Sequence, residues 1–205
     1  RDRVQLRPAA QLDLKQLART FTLRTSDGFA ENVGPGLLAR VGAEAPGVRL
    51  RFVQKTDKDS APLREGAVDL DTGIVGDTAS PELRTRALFQ DRFVGVMRAG
   101  HPLSQGKVTL ARYASARHIL VSRRNLEKGP VDDALASHGR ERHIATNAGG
   151  FSTALALARG SDLIATVPER HTGNLRAGMH TFPLPFTMPA FTAVSYTHLT
   201  LPTKA

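Results

Sequence analysis

Two apolar rhythms alternate along this chain, and the alternation runs through twice. "RTFTLRT" sets Phe21 and Leu23 two apart, with Thr25 next on the same face. From residue 28 to 44 the spacing changes, and Phe29, Val33, Leu37 and Val41 lie four apart. The first is the period of a strand, the second that of one helix face. "VRLRFVQ" returns to alternation through Val48, Leu50 and Phe52; "SAPLREGAVD" reads as a short helix and "LDTGIVG" as a buried strand. "LRTRALFQDRFVGVMRAG" reads as one long bent strand or a strand pair. The pattern then resumes, with helices at "TLARYAS", "GPVDDALASHG" and "GFSTALALARG" and strands at "RHILVS", "RHIATNA" and "DLIATVP". "PERHTGNL" reads as a further short helix, and "HTFPLPF" and "AFTAVSY" alternate. Strand–helix alternation predicts an α/β fold with parallel sheets. Its repetition, over residues 20–96 and 99–176, predicts two lobes joined by two crossovers, with a ligand cleft between them.

Composition narrows the function. With no cysteine among 205 residues, disulfides, thiolate catalysis and cysteine-held zinc are excluded. No segment approaches the ~18 consecutive apolar residues of a membrane span, and "RDRVQLRPAAQLDLKQLART" is too polar for a secretory leader. A cytoplasmic location without membrane contact is expected. Lys and Arg outnumber Asp and Glu by 28 to 19, a net charge of +9, which favours anionic partners. The arginines are scattered and aromatics are not interleaved with them, so a stacking platform for single strands is not expected. A solvated basic surface explains the same excess. The seven histidines show no HExxH spacing, and neither a GxSxG elbow nor a P-loop is present. We therefore expect no enzyme, no metal site and no cofactor.

In open α/β sheets ligands bind beyond the carboxyl ends of the strands. The residues there are Thr25, Ser26 and Asp27 after the first strand, Thr56 after the second, and Gly76 and Asp77 after the third. In the second lobe they are Ser122 and Arg123, then Asn147 and Gly149 before Phe151, and Val167 before Pro168. Hydroxyls, amides and helix-start N–H groups suit an anion, because a helix N-terminus is partially positive. Arg123 adds a bidentate clamp for a carboxylate. Each of Ser26, Asp27 and Ser152 taken singly is read first as a helix N-cap; the set, converging on one cleft from both lobes, is read as a binding site.

The chain resembles the effector-binding domain of LysR-type transcriptional regulators. The resemblance is carried by "RTFTLRTSDGF", "LLARVGAEAPGVRLRF", "LREGAVDLDTGIVG", "ALFQDRFVGVMRAGHPL" and "TALALARGSDLIATVPER", and spans about residues 8 to 194. It implies two Rossmann-like lobes like those of type 2 periplasmic binding proteins, hinged near Val96–Met97 and Gly178–His180. Residues 20–96 and 179–205 would then form lobe I, 97–178 lobe II, and 1–19 a linker remnant. It also implies a small-molecule effector on Ser26, Thr56, Asn147, Gly149 and Phe151, with Ser122 and Val167 along the same cleft. A homodimer or tetramer through helix 28–44 and strand 48–54 is implied too, with DNA bound only by an N-terminal winged helix absent from this chain. A periplasmic solute-binding protein of the same fold is the alternative. After "MPAFTAVS" the family continues through an aromatic and basic stretch into a final helix, whereas this chain has "YTHLTLPTKA", polar and without a helical stripe. Residues 196–205 are accordingly read as foreign.

Overall fold

The computed structural model describes residues 13–76, 80–124 and 126–199. In chain order these hold β1 (Arg19–Thr25), α1 (Asp27–Glu44), β2 (Val48–Gln54), α2 (Ala61–Arg64), β3 (Leu70–Ile74), β4 (Leu83–Asp91) and β5 (Phe93–Arg98). Then come α3 (Leu110–Ala114), β6 (Arg117–Val121), α4 (Pro130–Ala136), β7 (His143–Ala148), α5 (Phe151–Arg159), β8 (Ile164–Pro168), β9 (Met179–Pro183) and β10 (Phe191–His198). The strands make two five-stranded sheets, ordered β2-β1-β3-β10-β4 and β7-β6-β8-β5-β9. In each, three parallel strands are joined by antiparallel ones: β10 pairs with β3 and β4, and β5 with β8 and β9. The strand–helix alternation thus yields the expected pair of α/β lobes.

Local chemistry explains the element starts. Ser26 caps α1, its Oγ accepting the Phe29 N–H at 3.3 Å. α1 buries Gly28, Phe29 and Gly34, and Gly34 lets the helix approach the Phe52 ring of β2. Pro130 opens α4, where its missing N–H costs nothing. Lobe II has the deeper core: Val94, Val96, Ile119, Leu155, Ala165 and Val167 on one side of its sheet, and Met97, Tyr113, Leu135, Ile164 and Phe182 on the other. The lobe I core groups Leu63, Val68, Leu83, Val194 and Tyr196.

The lobe boundaries differ from the sequence expectation. β5 and β9 both belong to the second sheet, so Val96–Met97 and Gly178–His180 are not crossings. The chain crosses at Arg92, between β4 and β5, and again between β9 and β10, in residues 184–190. The reason is burial: Val94, Val96 and Met97 are enclosed by lobe II, and Leu184, Phe186 and Met188 pack on the same core. "PERHTGNL" also differs, forming turns and a short 3-10 segment at Asn174–Arg176 instead of a helix. Tyr196 is part of β10; it is buried and its hydroxyl donates to the Ile74 carbonyl at 2.9 Å.

Candidate ligand-binding site

A cavity of about 420 Å³ lies between the lobes. Lobe I contributes Ser26, the Lys55–Lys58 loop after β2, Thr72–Ile74 and Phe191. Lobe II contributes Phe93, the segment from Val121 to Arg124, Leu126, Lys128–Pro130, Phe151, Pro168 and His171. Among the described residues, five cationic residues line it, Lys55, Lys58, Arg123, Arg124 and Lys128, with one acidic residue, Asp57; the Lys55 ammonium itself is paired with buried Asp71. Its remaining walls are apolar, chiefly Phe93, Phe151 and Phe191.

Of the residues expected from sequence, Ser26, Thr56, Ser122, Arg123 and Phe151 meet in this cavity. Others stand off it. Thr25 is buried beneath, its hydroxyl donating to the Ser26 carbonyl at 3.1 Å. Val167 is fully buried in the lobe II core. Gly76, at φ +88, is exposed beyond β3. Asn147 and Gly149 are exposed at the end of β7. Asp77 lies outside the described residues.

Asp27 has a different task. Its Oδ2 accepts the backbone N–H of Ser152 at 3.1 Å, in the first turn of α5. Gly150 at that turn has no Cβ to collide with the Asp27 carboxylate. Ser152 Oγ donates to Glu31 at 2.5 Å, and Asn32 bonds the Arg170 carbonyl (2.6 Å) and the Asn174 N–H (2.8 Å). One side of α1 is therefore sewn to lobe II. Farther along the cleft, Arg123 Nη1 donates to the Lys55 carbonyl at 3.0 Å.

The Lys55–Lys58 loop rests on a buried ion cluster. Asp71 is 3% exposed and takes Arg24 Nη2 at 2.5 Å on its Oδ2. Lys55 Nζ stands 3.1 Å from Asp71 Oδ1, in ion contact although off the hydrogen-bond line, and donates to the Thr72 carbonyl at 2.9 Å. Arg24 also reaches Asp57 and the Asp59 carbonyl, tying the loop down. The Asp59 N–H on the Asp57 carboxylate is the main reason its pKa lies below the ordinary value, with Thr56, Arg24 and Lys55 adding to it.

At the first crossing the Asp91 side chain is fully buried. Its Oδ1 accepts the N–H groups of Arg92 and Arg170, both at 2.8 Å. Its Oδ2 accepts the N–H of His171 at 2.9 Å and lies 2.7 Å from His171 Nδ1. Burial alone would raise the Asp91 pKa; the His171 ring and the three backbone N–H groups outweigh burial and hold it below the ordinary value. Sequence reading missed Lys55, Lys58, Arg124, Lys128, Phe93, Phe191 and His171. Lys55 and Lys58 flank Thr56, so the end of β2 was the available signal for them. His171 and Phe191 carry none, because their neighbours are remote in sequence.

Among the described residues no group of three or more His, Asp or Glu is arranged to hold a metal ion, and no helix is long and apolar enough to cross a membrane.

The chain is similar to several known proteins. It is 29% identical over 178 residues to the HTH-type transcriptional activator NagR of a Ralstonia species, covering 83% of this chain and 58% of that protein. It is 30% identical over 182 residues to nodulation protein D 1 of Rhizobium leguminosarum bv. phaseoli, covering 86% and 57%. It thus spans a little under three fifths of these relatives. Among solved structures, a probable transcriptional regulator of Pseudomonas aeruginosa superposes with TM-score 0.81 at 31% identity, covering 93% of this chain and 65% of that one. The regulatory domain of MexT, a transcriptional activator of the same organism, gives TM-score 0.74 at 25% identity, with 89% of each chain covered. The family model of the LysR substrate binding domain matches residues 14–205, and with two α/β lobes around one cleft the chain belongs to that family.

Proposed function

We propose that this chain is the ligand-sensing part of a LysR-type DNA-binding transcriptional regulator, and that it binds a small anionic organic effector in the interlobe cavity. The observation that carries this reading is the lining: among the described residues Lys58, Arg123, Arg124 and Lys128 stand against one carboxylate, Asp57, with aromatic walls, contributed by both lobes. Such a site favours a carboxylate on an apolar body. Ser26 uses its Oγ lone pair on the α1 cap and Ser122 uses its own on the Leu126 N–H at 2.8 Å, so each hydroxyl keeps a proton to donate. A ligand touching both lobes shifts their relative placement only through differential affinity for the two arrangements. In the whole regulator that shift would alter promoter binding or activation. DNA is contacted by a separate N-terminal domain, and self-association runs through α1 and β2, the latter an edge strand of its sheet.

Isothermal calorimetry with a panel of aromatic and aliphatic carboxylates, and with amines and sugars as controls, tests the reading. Acids are expected to bind, and Arg123→Ala to weaken them by roughly 1.5–3 kcal/mol, the scale of a hydrogen bond to a charged group. Binding of amines in preference to acids would overturn it.

A further inference from the structure

We propose that the outer edge of β4 is a docking surface for an extended acidic segment of a partner protein, added to the first sheet as a further strand. β4 ends that sheet, with β10 on its inner side. From Leu83 to Ala87 it pairs with His198 to Val194 in unbroken register, and a bulge at Leu88 ends the run. Arg84, Thr85, Arg86 and Ala87 are all exposed. In an antiparallel sheet, alternate residues of an end strand turn both N–H and C=O away from their neighbour. Among the described residues nothing outside the sheet takes up those groups between Arg84 and Ala87. Such a run is a template for another strand. It lies outside the interlobe cavity.

Charge decides which strand fits. Arg84 and Arg86 are two apart, so they share one face of β4, roughly 7 Å from each other along it. Their partners across β10 are Thr197 and Ser195, which carry no charge. Among the described residues neither arginine meets a carboxylate. A second copy of this edge, laid antiparallel about Thr85, sets Arg84 against Arg86 and is repelled. An incoming strand with acids two apart sets each carboxylate directly opposite a guanidinium, close enough for paired hydrogen bonds. On the reverse face Thr85 and Ala87 are small, which suits threonine or valine between the acids. A nucleic acid also answers two arginines, but its backbone has no alternating donors and acceptors to pair with the open run of β4.

The probe is a blocked peptide alternating threonine and glutamate, with a control of the same composition whose glutamates are consecutive. In ¹H–¹⁵N spectra of the full chain, the alternating peptide should move the backbone resonances of Leu83 to Ala87 and slow their amide exchange. The control should bind at least about tenfold more weakly. Arg84→Glu combined with Arg86→Glu, both at exposed positions, should lose the alternating peptide and take up its threonine–lysine counterpart instead. That exchange of partners is a gain, which an unfolded variant does not give. Equal binding of peptide and control overturns the proposal, because it shows only attraction to a basic chain. Shifts that leave β4 untouched, or no binding of the alternating peptide, overturn it too. An oligothymidylate of equal charge that moves the same amides as strongly assigns the edge to nucleic acid. Self-association in sedimentation that vanishes in the double variant assigns it to a second copy, and either result overturns the acidic-strand partner.

Discussion

Asp27, on lobe I, holds the Ser152 N–H of lobe II at 3.1 Å, so the first turn of α5 is closed by a carboxylate from the opposite lobe. The partial positive charge of that turn is thus satisfied within the protein. Asp27→Ala should lower stability by about 1 kcal/mol, the scale of a lost N-cap, or roughly 2–4 °C in a chain of this size. Thermal unfolding at low and high salt checks this. The deficit should shrink at high salt, because the charge–dipole part is screened.

Among the described residues Asp71 is the one anion buried with Arg24 and Lys55, since Asp57 is exposed. Asp71→Ala leaves two buried cations without their carboxylate. A loss of about 3–5 kcal/mol is expected, measured by urea unfolding. Because Arg24 also holds the Asp57–Asp59 loop, ligand affinity should fall along with stability.

His118 is fully buried, its Nε2 2.7 Å from the Tyr113 carbonyl. Burial pushes its pKa from 6.5 down to about 4. The folded chain therefore resists a proton that the unfolded chain accepts. Its contribution is fully present above pH ~6.5 and is lost as pH falls toward about 4. The loss is on the order of 3 kcal/mol at most. His118→Gln keeps a donor for the Tyr113 carbonyl but does not titrate. Its stability should stay flatter between pH 6.5 and 4, as followed by denaturant midpoints.

Gly95 lies in β5 directly beneath the Phe182 ring of β9, and a Cβ there would overlap that ring. Phe182 is 5% exposed and packed on Met97 and Tyr113, so it has little room to swing away. Gly95→Ala should cost about 1–3 kcal/mol as an overpacked core. Gly95→Ala combined with Phe182→Leu should recover part of that loss in the same unfolding assay.

Legibility from sequence followed locality. β1, α1, β2 and β7 were readable because period and caps lie within each segment. Ser26, Thr56, Ser122 and Arg123 were readable as cavity residues because the strand ends predict them. The first crossing was not, since "LFQDRFVGV" stays apolar on either side of Arg92. What ends β4 there is Asp91, whose partners Arg170 and His171 lie about 80 residues on. Arg24 lies on the face of β1 opposite Phe21, Leu23 and Thr25, and nothing local marks it as buried. Its burial depends on Asp71, across the sheet. Asp27 was legible as a helix-start carboxylate, but not as the one that closes a different helix.

The strand order carries a consequence for how this chain is made. β10 lies between β3 and β4 in the first sheet, so β4 has no neighbour there until residues 191–198 arrive. Lobe II, by contrast, runs without interruption from Phe93 to Pro183. On a ribosome the second lobe can therefore finish while the first stands half-built, with β4 an open edge and Leu83 without Val194 and Tyr196 to cover it. The first lobe to emerge is the last to close, and what closes it is a strand that follows the whole of the second lobe.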